Sequence, residues 1–454
     1  MKSCKTLLIL FFLLIAAQVA QAQSAKDRIA MQHFLNFVER DSARQQAAFD
    51  FLGLAWEDTY TIMALEILNL QRDPAIRQPL LKLLSEKTGK TYGLNFQRWY
   101  AWLWNEDEQV PEGYANFKAS LYSLIDPRFE TYFLGRFESD VRMDEIHWGG
   151  VAQDGIPPLR EPAMIKATEA DYLADDHVVF GVEINGDVRA YPKRILAWHE
   201  MFVDEIGGIQ VTGVYCTLCG TVIIYNSTFN GYTHKMGTSG FLYRSNKLMY
   251  DQATQSLWNT LWGTPVLGPL QGEGIELEKL SVVTTTWGEW KRRHPETSVL
   301  SVETGHNRDY DEGVAYSDYF ATDRLMFNTP FSDNRLKNKQ EILALQFPEY
   351  PRGQLAISTD FLAEKPIYED ALGPVKFVVL TDQSGANRVY KLDADIHFSN
   401  YDGKDTATDK SGTKWTVFEN RLESAEGKKL ERLPYHRAFW FGWQAAYPNT
   451  KLIK

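Results

Sequence analysis

Cys216-x-x-Cys219 is the part of this 454-residue chain best able to do chemistry. The pair sits in Tyr215-Cys-Thr-Leu-Cys-Gly220, between the runs Ile209 to Tyr215 and Thr221 to Tyr225. Both runs are rich in β-branched residues, so the spacing predicts a strand, a tight turn and a second strand. A thioredoxin-like motif instead starts a helix, whose dipole stabilises the thiolate. Thr221-Val-Ile-Ile-Tyr225 is a poor helix start. A strand–turn–strand setting matches the metal knuckle of rubredoxins and zinc ribbons. There Gly220 takes positive φ, and two thiolates fill adjacent corners of a tetrahedron.

No second knuckle follows, so further ligands must come from elsewhere. His199 is the leading candidate, with Glu200 able to orient its other nitrogen or act as a base. His234 and Met236 are a second source. Two thiolates and His199 form a zinc-type set with an open position, and adding Met236 makes a softer site suited to copper. The competing readings are a labile, redox-active disulfide with Cys216 as the nucleophile, and an inert clip in an extracellular binding protein. Glu200, Arg244 and Asp251 are the candidate catalytic side chains, although Asp251 can equally start a turn. Whether the chain is an enzyme stays open at this level. His199-Glu200 lacks the second histidine of a zinc-protease helix, and Gly237-Thr-Ser-Gly240 is not a nucleophile elbow. There is no Walker loop, dinucleotide fingerprint or haem-attachment motif.

The elements that must position these residues fall into two kinds. Residues 23–137 read as helical, with apolar residues every three to four positions in Thr59 to Leu70 and Ile76 to Leu84. Asp73-Pro74 marks a turn and a new helix start. Short paired helices of this kind are HEAT-like, a scaffold or docking module. From about residue 138 short alternating runs take over, such as Val178 to Ile184 with the hairpin turn Asn185-Gly186.

Two stretches, 140–302 and 320–454, share spaced landmarks. Trp287-x-x-Trp290 precedes Pro295 and Thr297 as Trp440-x-x-Trp443 precedes Pro448 and Thr450. Ser256-x-Trp258 is echoed by Thr413-x-Trp415. They read as a diverged duplication. In register, Cys216-x-x-Cys219-Gly220 falls on Thr381-x-x-Ser384-Gly385, so the second copy keeps the glycine and lacks both sulfurs. The expected class is therefore α+β: a helical module over 23–137, then β-rich units over 138–302 and 303–454.

Lys2, Lys5, the apolar run Leu7 to Ala17 and Ala20-Gln-Ala22 read as a secretory signal cleaved near Ala22. The run is shorter than the about 20 residues a spanning helix needs. A periplasmic or secreted protein is expected, without membrane insertion of the mature chain. Cleavage removes Cys4 and moves the formal charge from −11 to −13. That acidity argues against nucleic acid as a partner and leaves a small molecule, a metal or a protein. Two remaining cysteines are no disulfide framework for a chain of this length.

Asp154-Gly-Ile-Pro157, Arg189-Ala-Tyr-Pro192, His199-Glu200, Tyr215-Cys-x-Leu-Cys-Gly220 and Gly237-Thr-Ser-Gly-Phe-Leu-Tyr-Arg-Ser245 occur in order. Leu248-Met-Tyr-Asp251, Ser256-Leu-Trp258, Arg308-Asp-Tyr310 and the two Trp-x-x-Trp segments follow. Together they resemble the bacterial domain-of-unknown-function family three-one-seven-nine over about residues 138–454. Thr217, where the family usually has proline, and Gln252, where it often has arginine, depart from the pattern. The resemblance implies no established activity.

Overall fold

The computed structural model describes residues 23–454, apart from 108–109, 136–137, 327, 331 and 394. The expected signal segment lies outside the described residues. The chain forms an α+β protein of two compact units, the first reaching Ile146 and taking in 328–330, the second holding the rest. No helix among the described residues is long and apolar enough to cross a membrane.

The first unit is helical. It includes α1 (Ser42–Ala55), α2 (Thr61–Leu70), α3 (Pro74–Thr88), α4 (Phe96–Leu103) and α5 (Tyr114–Ser123), of which α2 and α3 fall on the periodic runs Thr59 to Leu70 and Ile76 to Leu84. Helix α3 starts where Asp73 accepts the Ala75 amide and Pro74 needs no donor, and it stops at left-handed Gly89. Helix α2 is the centre of the unit, with residues 61–68 all buried. Its single acid, Glu66, is met by the Lys118 ammonium at 2.5 Å and the Tyr114 hydroxyl at 2.7 Å. A charge at that depth requires such partners.

The second unit is built from sheets. In its first half, β1 (Val178–Ile184) and β2 (Asp187–Pro192) form a hairpin through left-handed Asn185 and Gly186. Helix α6 (Lys193–His199) leads into a meander of β3 (Met201–Ile206), β4 (Ile209–Cys216) and β5 (Thr221–Asn226). The hairpin of β6 (Met236–Tyr243) and β7 (Asn246–Asp251) lies in a third sheet. Then β8 (Val283–Thr286) runs antiparallel to β1. After α7 (Trp287–Arg293), β9 (Ser298–Leu300) pairs parallel with β2.

The second half uses the same order. Strands β10 (Glu341–Phe347) and β11 (Tyr350–Ser358) pair. A meander of β12 (Ile367–Leu372), β13 (Val375–Thr381) and β14 (Asn387–Lys391) follows. β15 (His436–Phe439), α8 (Trp440–Ala446) and β16 (Lys451–Ile453) then return to the first sheet. Some side-chain bonds are alike in the two halves. Trp290 Nε1 donates to Thr297 Oγ1 at 3.0 Å, and Trp443 Nε1 to Thr450 Oγ1 at 2.9 Å. Trp258 and Trp415 each donate to the aspartate opening their turn, Asp251 and Asp409.

Candidate functional site

The cysteine turn is a consequence of β4 and β5. These strands pair from Val211–Asn226 up to Cys216–Thr221 and leave four residues to reverse the chain. Thr217 to Cys219 make one 3-10 turn and Gly220 closes it at φ +60°. A side chain is barred at Gly220 twice over: by that φ, and because a Cβ would lie 2.8 Å from the Phe439 ring. Thr217, the departure from the family pattern, is buried and donates to Ala197 O at 3.2 Å, tying the turn to α6.

Cys216 and Cys219 are joined by a disulfide, with Cα atoms 5.4 Å apart. Both are buried, at 2% and 0% exposure, in an apolar cluster with Phe439 and Phe441 of the second half and Leu218, Leu242 and Leu325. Gly442, on α8, lies against the second cysteine: a Cβ there would sit 3.0 Å from the Cys219 Cβ. The Tyr319 hydroxyl donates to Leu218 O at 2.7 Å. The disulfide is thus roofed by the second half of its own unit.

A polar group faces the second sulfur. Asn246 Oδ1 stands 3.2 Å from Cys219 Sγ. The amide orientation follows from its other end, where Nδ2 donates to Gly442 O at 3.3 Å. A carbonyl can only accept, so the nitrogen points to Gly442 and the oxygen to sulfur. A disulfide sulfur offers that oxygen no proton. A Cys219 thiol would.

Glu200 and Lys247 flank the turn. Glu200 takes the left-handed position after α6, and its carbonyl receives the Tyr215 amide at 2.9 Å. The same carbonyl accepts from Lys247 Nζ at 2.6 Å, with Glu200 Oε2 at 3.5 Å. Burial pushes the Glu200 carboxyl up and the Lys247 amine down, and their mutual attraction opposes both shifts.

His199, the first-choice ligand, spends both ring nitrogens elsewhere. Nδ1 lies 2.8 Å from Pro157 O and Nε2 2.5 Å from the Tyr310 hydroxyl. The carbonyl fixes the proton on Nδ1, so Nε2 accepts from tyrosine. Burial lowers its pKa to about 4, so the ring is neutral near pH 7. Met236 packs in a different cluster, with Met249, Trp258 and Leu261. The His234 ring stands 5.0 Å from Trp258. Among the described residues no three His, Cys, Asp or Glu side chains gather so as to hold a metal ion. The expected ligand set of Cys216, Cys219 and His199, with Met236 or His234, is therefore not assembled: the sulfurs bond each other and the imidazole bonds tyrosine.

The catalytic candidates separate too. Asp251 is a turn hub, accepting from the Thr254 and Ser256 amides and from Trp258 Nε1. Arg244 occupies the β6–β7 turn at φ +44°, beside left-handed Ser245. Glu200 is tied to the strand that carries Cys216, through the Tyr215 amide on its carbonyl. The residues missed from sequence are Asn246, Lys247 and the roof of Phe439, Phe441 and Gly442. Asn246 and Lys247 directly follow Ser245, the end of a recognised motif, and that adjacency was the one available signal.

The family described as "Protein of unknown function (DUF3179)" matches residues 153–450, well over half the chain. No curated protein and no solved structure matches it. The chain belongs to the DUF3179 family.

Proposed function

With membership of that family as the premise, we propose that the protein is an exported thiol–disulfide redox protein. Its Cys216–Cys219 bond is opened and re-formed in use. The reading is carried by Asn246, whose oriented amide oxygen lies 3.2 Å from Cys219 Sγ. That acceptor gains a hydrogen bond only when the bond is reduced, which favours the dithiol and makes the disulfide more oxidising. A donor thiolate attacks Cys216 Sγ, the S–S bond breaks, and Cys219 leaves as a thiolate. Cys219 takes up a proton, and the resulting thiol donates a hydrogen bond to Asn246 Oδ1. A second donor thiol then releases Cys216, so two donor thiols become one disulfide as the protein gains two electrons and two protons. Burial of both sulfurs supports a small thiol, or access coupled to movement of the roof.

Zinc or copper at the pair is the competing use, and the donor set above does not support it. The second half is proposed to be a diverged copy serving as the roof, and the HEAT-like helical unit a docking module.

The test is a glutathione redox titration of the purified protein, read by mass after alkylation. A midpoint in the range of exchange proteins, about −270 to −120 mV, with a more negative value in Asn246→Ala, is expected. A midpoint below about −300 mV that Asn246→Ala leaves in place would reduce the pair to a structural clip. Stoichiometric metal in the native protein, absent from Cys216→Ser, would redirect the site to metal handling.

A further inference from the structure

A cleft of about 960 Å³ opens in the second unit, between segments of its two halves. It shares no lining residue with the cysteine turn, and its volume is that of a small-molecule site. One wall is the stretch 276–281, where the residues alternate. Glu276 and Glu278 are exposed, whereas Leu277 is buried in the cluster of Met201 and Trp258. Lys279 falls on the side of Leu277, so its long stem is drawn partly inside. Lys279 and Leu280 form a short edge strand, paired on one side only with Tyr225 and Ile224.

The Lys279 amine has no hydrogen bond or ion pair with any described residue, and Glu276 acts on it only at longer range. Burial lowers its pKa to about 8. Behind it His436 is buried, at 4% exposure, with Nε2 unpartnered. Its pKa is brought to about 3 by burial and, further, by the charge of Lys279. A partly buried amine without a counter-ion is an unmet demand for an anion. Trp262 and Pro348 supply flat apolar surface in the same cleft. Glu183, Glu276 and Glu278 also line the cleft and oppose an anion, a doubly charged one most, while Arg432 adds a second positive charge.

We propose that this cleft binds a small monoanion with a flat apolar body, an aromatic carboxylate, its carboxylate on Lys279 and its ring against Trp262 and Pro348. The site stands independently of the redox state of the cysteines.

Isothermal titration of the full mature chain tests it, with phenylacetate and indole-3-acetate as probes and benzyl alcohol and phenethylamine as uncharged and cationic controls. The two acids should bind more tightly than about 1 mM, and the controls at least about tenfold more weakly. Lys279→Met should weaken the acids at least about tenfold with the melting temperature kept, and Lys279→Arg should retain them. Glu278→Gln should strengthen binding. Acids that bind no better than the alcohol, or bind Lys279→Met as well as the parent, would overturn the proposal. Lys279→Arg and Glu278→Gln keep the test decisive if Lys279→Met fails to fold.

Discussion

The two meanders of the second unit end in comparable turns that are closed in different ways. After β4 the chain reverses over four residues, and a covalent bond between Cys216 and Cys219 spans the reversal. After β13 it reverses over five, and Asp382 does the closing. Asp382 Oδ1 accepts from the Ser384 amide at 2.9 Å, the Ser384 hydroxyl at 2.6 Å and the Ala386 amide at 3.0 Å. Arg388, fully buried, holds the other oxygen at 2.7 Å. Each turn keeps a left-handed glycine, Gly220 or Gly385. Each also rests on the other half: Gly220 on Phe439 of β15, and Ser384 on Thr285 of β8 through a 3.0 Å hydroxyl contact. A turn in this position can therefore be closed by one carboxylate, without sulfur. The cysteines are not demanded by the geometry, which is why their chemistry is the interesting property of the first half.

The largest way to break the comparison is at Arg388. Its guanidinium also pairs with Glu419, at 2.8 Å. Arg388→Met leaves two buried carboxylates without it, and should cost about 3–5 kcal/mol in urea unfolding. The disulfide is worth less. Its loop is short, so Cys216→Ser/Cys219→Ser should lose about 2 kcal/mol. A loss as large as that of Arg388→Met would mean the bond organises the half rather than closing a turn.

The glycines sharpen the contrast. Gly220→Ala meets strain and the Phe439 ring, and should cost about 2–4 kcal/mol. Gly385→Ala meets strain alone, since nothing lies within 4 Å of its Cβ, and should cost about 1 kcal/mol. Equal losses would show that Phe439 does not press on the cysteine turn.

The effect that is smallest at neutral pH is pH-linked and grows in acid. Burial lowers His199 to about 4 and His436 to about 3, below the ordinary 6.5. The unfolded chain takes up these protons first. Their contribution is thus fully present above about pH 6.5 and is lost as pH falls toward 4 and then 3. His436→Gln should make that decline shallower throughout and remove most of it below about pH 4, measured as unfolding free energy against pH.

How far the site was legible follows from the range of the forces involved. The strand–turn–strand around Cys216, the Asn185-Gly186 hairpin and the Asp73-Pro74 helix start depend on φ preferences and neighbouring hydrogen bonds. All were read from a few consecutive residues. His199 was read as the first-choice ligand beside the sulfurs, whereas its ring nitrogens meet Pro157 and Tyr310, partners 42 and 111 positions away that no local pattern shows. Gly442, 196 positions from Asn246, could not be placed at all.

By itself, then, the amino-acid order determined the helical and β-rich regions, the cysteine turn, its glycine and the family. Tertiary structure decided that the thiols bond each other, that the imidazole serves a tyrosine, and that an oriented amide faces the sulfur. Periodicity and turn chemistry act over a handful of residues. What surrounds a buried atom is set by segments that meet only when the two halves pack together.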